Sequence, residues 1–172
     1  MTGMSGAGKS TLLEALASRG HLTVDTDHDG WTLADGRWDE PRMTALLAEQ
    51  STVAVSGTVD NQGRFYDAFD EVVLLSAPLD VLLARVRTRA GNPYGRTLEH
   101  EAEIRQYVRE VEPLLRRGAT RELDGRRPVE ELADEIERLL TRSLLDSIDG
   151  GRQSNDRQTL KRNSTTSPSA IT

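Results

Sequence analysis

Apolar residues along this chain follow two spacings, one typical of amphipathic helices and the other of short buried strands. Helical spacing joins Leu12, Leu13 and Leu16 in a helix predicted over residues 9–19. Further helices are predicted over residues 41–50, 79–89, 98–117 and 128–142. Short apolar runs predict strands at residues 21–24, 52–55, 72–75 and 120–123. Strands and helices that alternate in this way indicate an α/β fold with a mostly parallel sheet.

The predicted elements lie within residues 1–143, which we interpret as one domain, since 172 residues is close to the usual length of a single domain. Residues 144–172 are rich in Ser, Thr, Asn, Gln and Gly and contain few apolar side chains. Such a composition cannot offset the entropy lost on ordering. We therefore predict a polar, disordered tail.

Composition and charge exclude several classes of function. The formal net charge of -6 and the pI near 5.1 argue against nucleic acid as the main partner. The chain has no cysteine, which excludes disulfides, thiolate metal sites and a cysteine nucleophile, and its three scattered histidines do not indicate a zinc site. No apolar run reaches the roughly 18 residues needed to span a bilayer. We expect a cytoplasmic protein with no membrane partner.

A glycine-rich motif at residues 3–10 carries the strongest chemical signal. Its sequence, Gly-Met-Ser-Gly-Ala-Gly-Lys-Ser, satisfies the P-loop pattern G-x-x-x-x-G-K-[ST]. Backbone amides in such a loop form an anion nest at the start of a helix. Lys9 is expected to reach the β and γ phosphates of a nucleotide, and the Ser10 hydroxyl to ligate Mg²⁺. The predicted nucleotide contacts are Gly3, Ser5, Gly6, Ala7, Gly8, Lys9, Ser10 and Thr11.

The motif lies unusually close to the start of the chain. A P-loop ordinarily follows a strand, but only Met1 and Thr2 precede Gly3. We therefore expect the first strand to be nearly absent. A late start-site assignment is the preferred explanation, and a truncated, poorly folding chain is the alternative.

From Gly3 to about Arg142 the order of elements resembles the small nucleoside-monophosphate and shikimate kinase group of P-loop phosphotransferases. The run Gly-Ala-Gly-Lys-Ser-Thr at residues 6–11 is similar to the loop of shikimate-kinase-like members. The resemblance implies a three-layer P-loop NTPase fold with a central, mostly parallel five-stranded sheet flanked by helices, its first strand truncated. It also implies ATP and Mg²⁺ as cofactors and favours a monomer. An AAA-type ATP-binding domain is compatible with the same motif.

Two aspartates follow the loop by one helix and one strand. The run Val-Asp-Thr-Asp at residues 24–27 looks like the D-x-D motif of that family. The resemblance implies that Asp25 supports Mg²⁺ and that Asp27 contacts the acceptor hydroxyl and acts as a base. Carboxylates at the carboxyl end of a strand also face the crevice where ligands bind in open α/β sheets. The alternative is a solvated acidic turn, and His28 is predicted to be a surface histidine.

Arginines in the third long helix form the next candidate group. Arg85 and Arg89 lie four residues apart and so share one helix face. In nucleotide kinases a similar pair enters the lid, which implies that Arg85 contacts nucleotide and that Arg89 is catalytic. Residues 91–97 would be the lid loop, with Arg96 completing the charge clamp, and residues 123–129 resemble the turn that borders adenine. A solvated basic face is the alternative.

The acceptor side departs from both kinase types. After the strand at residues 52–55 there is neither the acidic residue and G-F-P-R turn of nucleoside-monophosphate kinases nor the glycine-rich run of shikimate kinases. A polar loop at residues 58–67 is predicted instead. Gly57 and Arg64 are predicted acceptor contacts, although Arg64 could equally pair with an acid, Asp60 or Asp67.

These features predict an enzyme that transfers the γ-phosphoryl group of Mg·ATP to a small molecule. The acceptor would be a nucleoside, a nucleotide or a shikimate-like hydroxy compound. The alternatives are an ATP-dependent sensor without small-molecule kinase activity and an N-terminally truncated, inactive form. The chain lacks the N-K-x-D signature of guanine recognition, which disfavours a GTPase.

Overall fold

A computed structural model of the chain describes residues 1–28, 30–89, 93–142 and 144–145. The tail predicted over 144–172 lies outside the described residues, except for its first two positions. Within the described part of the chain, no helix is long and apolar enough to cross a membrane.

Helices and strands alternate as the apolar pattern predicts, with ends shifted by a few residues. The helices are α1 (Lys9–Ser18), α2 (Glu40–Glu49), α3 (Leu79–Thr88), α4 (Leu98–Glu110), α5 (Glu112–Gly118) and α6 (residues 129–142). The strands are β1 (Thr23–Asp25), β2 (Ala54–Ser56), β3 (Val73–Ser76) and β4 (Arg121–Asp124). A 3-10 helix spans Gln62–Ala68.

The strands form two parallel pairs, β1 with β2 and β3 with β4. The chain start lies between the pairs and joins them. The Thr2 amide donates to the Val73 carbonyl at 2.8 Å, and the Leu75 amide donates to the Thr2 carbonyl at 2.9 Å. On the other side, the Gly57 amide donates to the Met1 carbonyl at 3.2 Å. The order is therefore β1, β2, the chain start, β3, β4, which confirms a parallel sheet whose first strand is reduced to its last residues.

Side chains are buried on both faces of the sheet. All three residues of β2 and the first three of β3 are buried, as expected for strands with helices above and below them. One apolar cluster joins α1, β3 and α6 and includes Leu16, Leu74 and Ala133. A second cluster, around Trp38 and Met43, packs beneath β1 and β2. The core therefore brackets the carboxyl ends of the strands, where the phosphate loop begins.

The single helix predicted over residues 98–117 is wrong. The structure has two helices, α4 and α5, and Val111 is both the last cap of one and the first cap of the other. Pro113 causes the break, because proline has no amide hydrogen and its ring collides with the carbonyl four residues earlier. In the first turn of a new helix those costs disappear.

The polar loop predicted over residues 58–67 is also wrong in part, since a 3-10 helix occupies Gln62–Ala68. Two of its side chains, Gln62 and Phe65, are buried. The Phe65 ring lies 5.8 Å from the Trp38 ring, centroid to centroid. This aromatic contact anchors a segment whose polar composition alone gives no sign of regular structure.

Candidate nucleotide-binding site

The phosphate loop, residues 3–10, is pressed against the rest of the fold at its glycines. A Cβ on Gly3 would lie 2.2 Å from the Leu75 carbonyl oxygen at the end of β3. Gly6 has a φ of +86°, and a Cβ there would lie 2.7 Å from the Leu82 carbonyl oxygen on α3. A side chain at either position would push the loop away from the sheet. The motif's glycines therefore set the loop's shape and its contact with both elements.

Lys9 begins α1 and folds back over the loop. Its Nζ donates to the Gly3 carbonyl at 2.6 Å and more weakly to the Met4 carbonyl at 3.4 Å. Burial lowers the pKa of Lys9, while the charges of Asp27 and then Asp25 oppose that shift. The lysine thus lies within electrostatic reach of both predicted site aspartates.

Ser10 and the aspartates meet at the carboxyl end of β1. The Ser10 Oγ donates to Asp25 Oδ2 at 2.8 Å, and the Asp27 amide donates to Asp25 Oδ1 at 3.2 Å. Asp27 itself is exposed. A hydroxyl and a carboxylate oxygen side by side are the hard ligands that Mg²⁺ prefers, with water completing its octahedron. This pair of side chains therefore fits a magnesium ion.

Arg85 and Arg89 both point from the end of α3 toward the phosphate loop. Arg85 Nη1 donates to the carbonyls of Gly6 and Ala7 at 3.3 and 3.4 Å. Burial lowers the pKa of Arg89, and the charge of Arg96 lowers it further. Among the described residues, the buried Nε of Arg89 has no hydrogen-bond partner. Arg89 lines the same cleft as Arg85.

The described part of the predicted lid loop, residues 93–97, is bound to α3. Arg89 Nη2 donates to the Tyr94 carbonyl at 2.9 Å, and Arg96 Nη2 donates to the Arg89 carbonyl at 2.6 Å. Arg96 is exposed, and its guanidinium contacts Arg89. Arg89 and Arg96 are therefore linked by hydrogen bonds to backbone carbonyls, and the charge clamp on a nucleotide stays a prediction. Residues 91 and 92 lie outside the described residues.

These groups line one cleft of about 830 Å³. Its walls come from the phosphate loop, the start of α1, Asp27, the end of α3 and the turn after β4, whereas Asp25 is not part of the lining. The lining residues that the sequence pattern predicts are Ser5, Gly6, Ala7, Gly8, Lys9, Ser10, Thr11, Asp27, Arg85 and Arg89. A second cavity, of about 150 Å³, lies near Met1 and carries none of them.

Sequence reasoning missed three polar residues that line this cleft. Glu14 lies four residues after Ser10, and Thr88 lies three residues after Arg85, so helical spacing could have found both. Arg127 belongs to the turn predicted to border adenine, and that turn touches the loop. His28, predicted to be a surface histidine, is exposed and lies at the edge of the cleft.

The two predicted acceptor contacts lie away from this lining. Gly57 is buried, and a Cβ there would lie 2.0 Å from Thr26 Oγ1, so protein atoms occupy the space beside it. Arg64 Nη1 donates to both carboxylate oxygens of Glu40, at 3.0 and 3.2 Å. The predicted alternative for Arg64 was an ion pair with Asp60 or Asp67, and the structure shows Glu40 in that place.

Comparison with known proteins gives a family match over most of the chain. A family described as AAA domain matches residues 1–106. The chain is also similar to a nucleotide-binding protein of Rhodospirillum rubrum, with 36% identity over 91 residues. That alignment covers 43% of this chain and 28% of the relative, so the chain spans less than a third of the relative's length.

Solved structures with a similar fold include small-molecule kinases. A shikimate kinase from Acinetobacter baumannii, in complex with shikimate, has a TM-score of 0.59 and 25% identity, over 82% of this chain and 90% of that one. A shikimate kinase from Bacteroides thetaiotaomicron has a TM-score of 0.58 and 20% identity, over 81% and 96%. A gluconokinase from Sinorhizobium meliloti has a TM-score of 0.51 and 21% identity, over 85% and 94%. These similarities confirm the predicted resemblance to small P-loop kinases.

Proposed function

Because the chain belongs to this AAA domain family, which carries a P-loop, we propose that it is an ATP-dependent phosphotransferase acting on a small molecule. The observation that carries the proposal is the pair of aspartates beside the phosphate loop. Asp25 bonds to Ser10, and Asp27 stands exposed at the same cleft. A site that only senses ATP needs no second carboxylate facing an acceptor.

The nucleotide would lie along the phosphate loop, with its phosphates on the loop amides at the start of α1. Lys9 would exchange its bonds to the Gly3 and Met4 carbonyls for the β and γ phosphates. Arg85, which now bonds to the loop's own carbonyls, would contact the nucleotide. The turn after β4 would border the base, since a Cβ on Gly125 would lie 2.5 Å from the Ala7 carbonyl oxygen.

Bound Mg²⁺ would neutralise charge on the β and γ phosphates. Ser10 and Asp25 are the residues that would hold it, because their oxygens already lie 2.8 Å apart at the end of β1. Neither side chain would need a large rearrangement to bind the ion. Ser10 lies at the start of α1 and Asp25 at the end of β1, and the packing of this helix on this strand brings the two residues together.

The transfer itself would be a single in-line displacement. A bond forms between the acceptor oxygen and the γ-phosphorus as the bond from that phosphorus to the bridging oxygen breaks, and ADP leaves with the electron pair. Asp27 would orient the acceptor hydroxyl and take its proton. Lys9 and Arg89 would stabilise the charge on the transferring group, with Arg96 acting through Arg89.

The acceptor belongs to the class of small hydroxy compounds. Structures similar to this one include a shikimate kinase bound to shikimate and a gluconokinase, and nucleosides and nucleotides stay within the proposal. Gly57 and Arg64 are proposed for the acceptor side because they follow β2, the neighbour of β1, and Asp27 lies in the turn that follows β1. Arg64 would have to leave Glu40 to bind an anionic acceptor.

The net charge of -6 and the lack of cysteine support a cytoplasmic enzyme that binds ATP and a small molecule, with no nucleic-acid or membrane partner. We place the catalytic unit in residues 1–143 and propose a monomer. Mass measurement of the purified chain in solution tests the oligomeric state.

The experiment that tests the function is ADP release from Mg·ATP across a panel of nucleosides, nucleotides, shikimate, gluconate and related hydroxy compounds. A large stimulation by one acceptor is the expected result and identifies the substrate. ATP binding without stimulation by any acceptor would favour a nucleotide sensor. No ATP binding by a chain that melts cooperatively would refute the proposal.

A further inference from the structure

Thr26 lies between the two site aspartates and is held from several directions. Its amide and its Oγ1 both donate to the Ser56 carbonyl on β2, each at 2.9 Å. Its own carbonyl accepts from the Thr32 hydroxyl at 2.9 Å. Thr26 is fully buried, whereas Asp27 beside it is exposed. The aspartate turn, residues 25–27, is therefore fixed through its middle residue.

Trp38 completes this arrangement from a distant part of the chain. The indole N–H donates to Thr26 Oγ1 at 2.8 Å. The Asn61 side chain holds the Trp38 backbone on both sides, accepting from its amide at 2.9 Å and donating to its carbonyl at 3.1 Å. Trp38 and Asn61 are both buried, with 5% and 4% of their surface exposed. Three segments of the chain thus meet at one hydroxyl.

The glycine after β2 is what permits this contact. A Cβ on Gly57 would lie 2.0 Å from Thr26 Oγ1 and 3.2 Å from the Trp38 indole nitrogen. Only glycine leaves room for the hydroxyl and the ring to meet there. The structure thus gives Gly57 a second role besides its proposed place on the acceptor side.

A purely apolar side chain could fill the space that Trp38 occupies, because its ring packs among Met43, Val55 and Phe65. Burying an N–H group costs free energy unless it is paired, and here its partner is the residue between the site carboxylates. We propose that Trp38 is a positioning residue: its indole N–H fixes Thr26 and thereby sets the placement of Asp25 and Asp27.

The kinetic part of this inference rests on the proposed phosphotransferase function, and the binding part does not. Phosphoryl transfer is sensitive to small displacements of the groups that orient the acceptor. A shift of the aspartate turn would also move Asp25 away from Ser10. Contacts between ATP and the loop amides would be unaffected, because they lie on a different segment.

The test compares Trp38→Phe with Phe65→Leu. Trp38→Phe replaces the indole by another aromatic ring that has no N–H. Phe65→Leu disturbs the same apolar cluster without touching Thr26. Calorimetry measures the affinity for ATP with and without Mg²⁺, kinetics measure kcat for the best acceptor, and thermal melting measures stability.

For Trp38→Phe we expect kcat to fall about tenfold and Mg·ATP affinity about threefold, with Mg-free ATP affinity unchanged. Phe65→Leu should lower the melting temperature by about as much as Trp38→Phe does. It should leave both ATP affinities and kcat within about twofold of the values for the unmodified chain. Thr26→Val should reproduce the Trp38→Phe losses, and Thr26→Ser, which keeps the hydroxyl, should not.

The inference is overturned if Trp38→Phe and Phe65→Leu have equal effects on Mg·ATP affinity, or if Thr26→Val matches Thr26→Ser. Neither readout requires an acceptor. If no acceptor stimulates ADP release by the unmodified chain, the proposed function fails on its own, and the Mg·ATP comparison still decides the role of Trp38.

Discussion

Two sides of the site are held in different ways. The first side is the phosphate loop together with the aspartate turn, and the second is the arginine segment, residues 85–89 and 93–96. On the first side, backbone and buried side chains fix the groups: Thr26 bonds to Ser56, and Gly3 is pressed against β3. On the second side, arginines bond to exchangeable carbonyl oxygens, as Arg85 does with Gly6. The first side is therefore prearranged, and the second side is a set of charges that can change partners.

This difference suits phosphoryl transfer. Groups that define the phosphate position should not have to reorganise, because prearranged donors give the largest stabilisation of a transition state. Cations that close over a ligand must instead exchange partners as it enters and leaves. Substitutions in the phosphate loop and the aspartate turn should therefore alter the chemical step and the use of Mg²⁺. Substitutions in the arginine segment should alter the response to ligand.

The largest effect is expected at Lys9. Lys9→Met removes the only lysine that lines the described cleft and should reduce acceptor-stimulated ADP release by at least about a hundredfold. The fold should be kept, because burial already lowers the pKa of this lysine and its charge is a cost to the ligand-free protein. Steady-state kinetics and thermal melting measure the two effects. Retained turnover would remove Lys9 from the mechanism.

The next effect separates the two aspartates. Asp27→Asn should lower kcat about a hundredfold with little change in the Mg²⁺ requirement, because it removes the proposed base. Asp25→Asn should raise the Mg²⁺ concentration needed for half-maximal rate, because it weakens a ligand bonded to Ser10. Magnesium titrations at saturating ATP measure both. Equal behaviour of the two variants would contradict separate roles, and Asp35→Asn, an exposed turn aspartate, is the control.

On the arginine segment, two residues of one helix end offer a matched pair. Arg89→Ala should reduce kcat about tenfold, because Arg89 lines the cleft and its charge would stabilise the transferring group. Arg87→Ala should change kcat less than twofold, because Arg87 binds Glu101 on α4 through two bonds of 2.5 and 2.6 Å. If both variants lose activity equally, the loss reflects the helix and not the site.

A stability comparison shows how firmly the arginine segment is packed. Gly95 has a φ of +98°, and a Cβ there would lie 2.5 Å from the Val86 side chain. Gly36 has a φ of +79° with no atom within 4 Å of such a Cβ. Gly36→Ala should cost about 1 kcal/mol from strain alone, and Gly95→Ala about 2 kcal/mol or more because of the added clash. Urea unfolding measures both, and equal costs would mean that the segment yields easily.

The phosphate loop and the aspartate turn could be predicted from the sequence because the residues that define them follow local patterns along the chain. Glycines, a lysine and a serine at fixed spacing define the loop, and the strand after α1 must end near it, so Asp25 was expected beside Ser10. Short, periodic apolar runs likewise predicted the parallel order of elements. The break at Val111 was missed because helical periodicity hides a proline that starts a new helix.

The remaining contacts depend on tertiary structure that spacing cannot show. Trp38 meets Thr26 across 12 positions, and Arg64 meets Glu40 across 24, and neither pair has a motif. The arginine segment is intermediate. Helical spacing predicted that Arg85 and Arg89 share one face, and both line the cleft, but spacing could not show that Arg96 binds the carbonyl of Arg89. Local motifs therefore specify the groups that contact phosphate, and packing decides what supports them.

The smallest effect concerns how the arginine segment responds to pH. Burial, and then its hydrogen bond to Glu103, raises the pKa of Tyr94 from 10.0 to about 12. The folded state therefore holds this proton more tightly than the unfolded state. Its contribution to stability is complete below pH 10 and is lost as the pH rises toward 12. Tyr94→Phe should reduce the fall in unfolding free energy between about pH 10 and 12, as measured by urea titration. A pH dependence of the unfolding free energy identical to that of the unmodified chain would contradict the role of Tyr94.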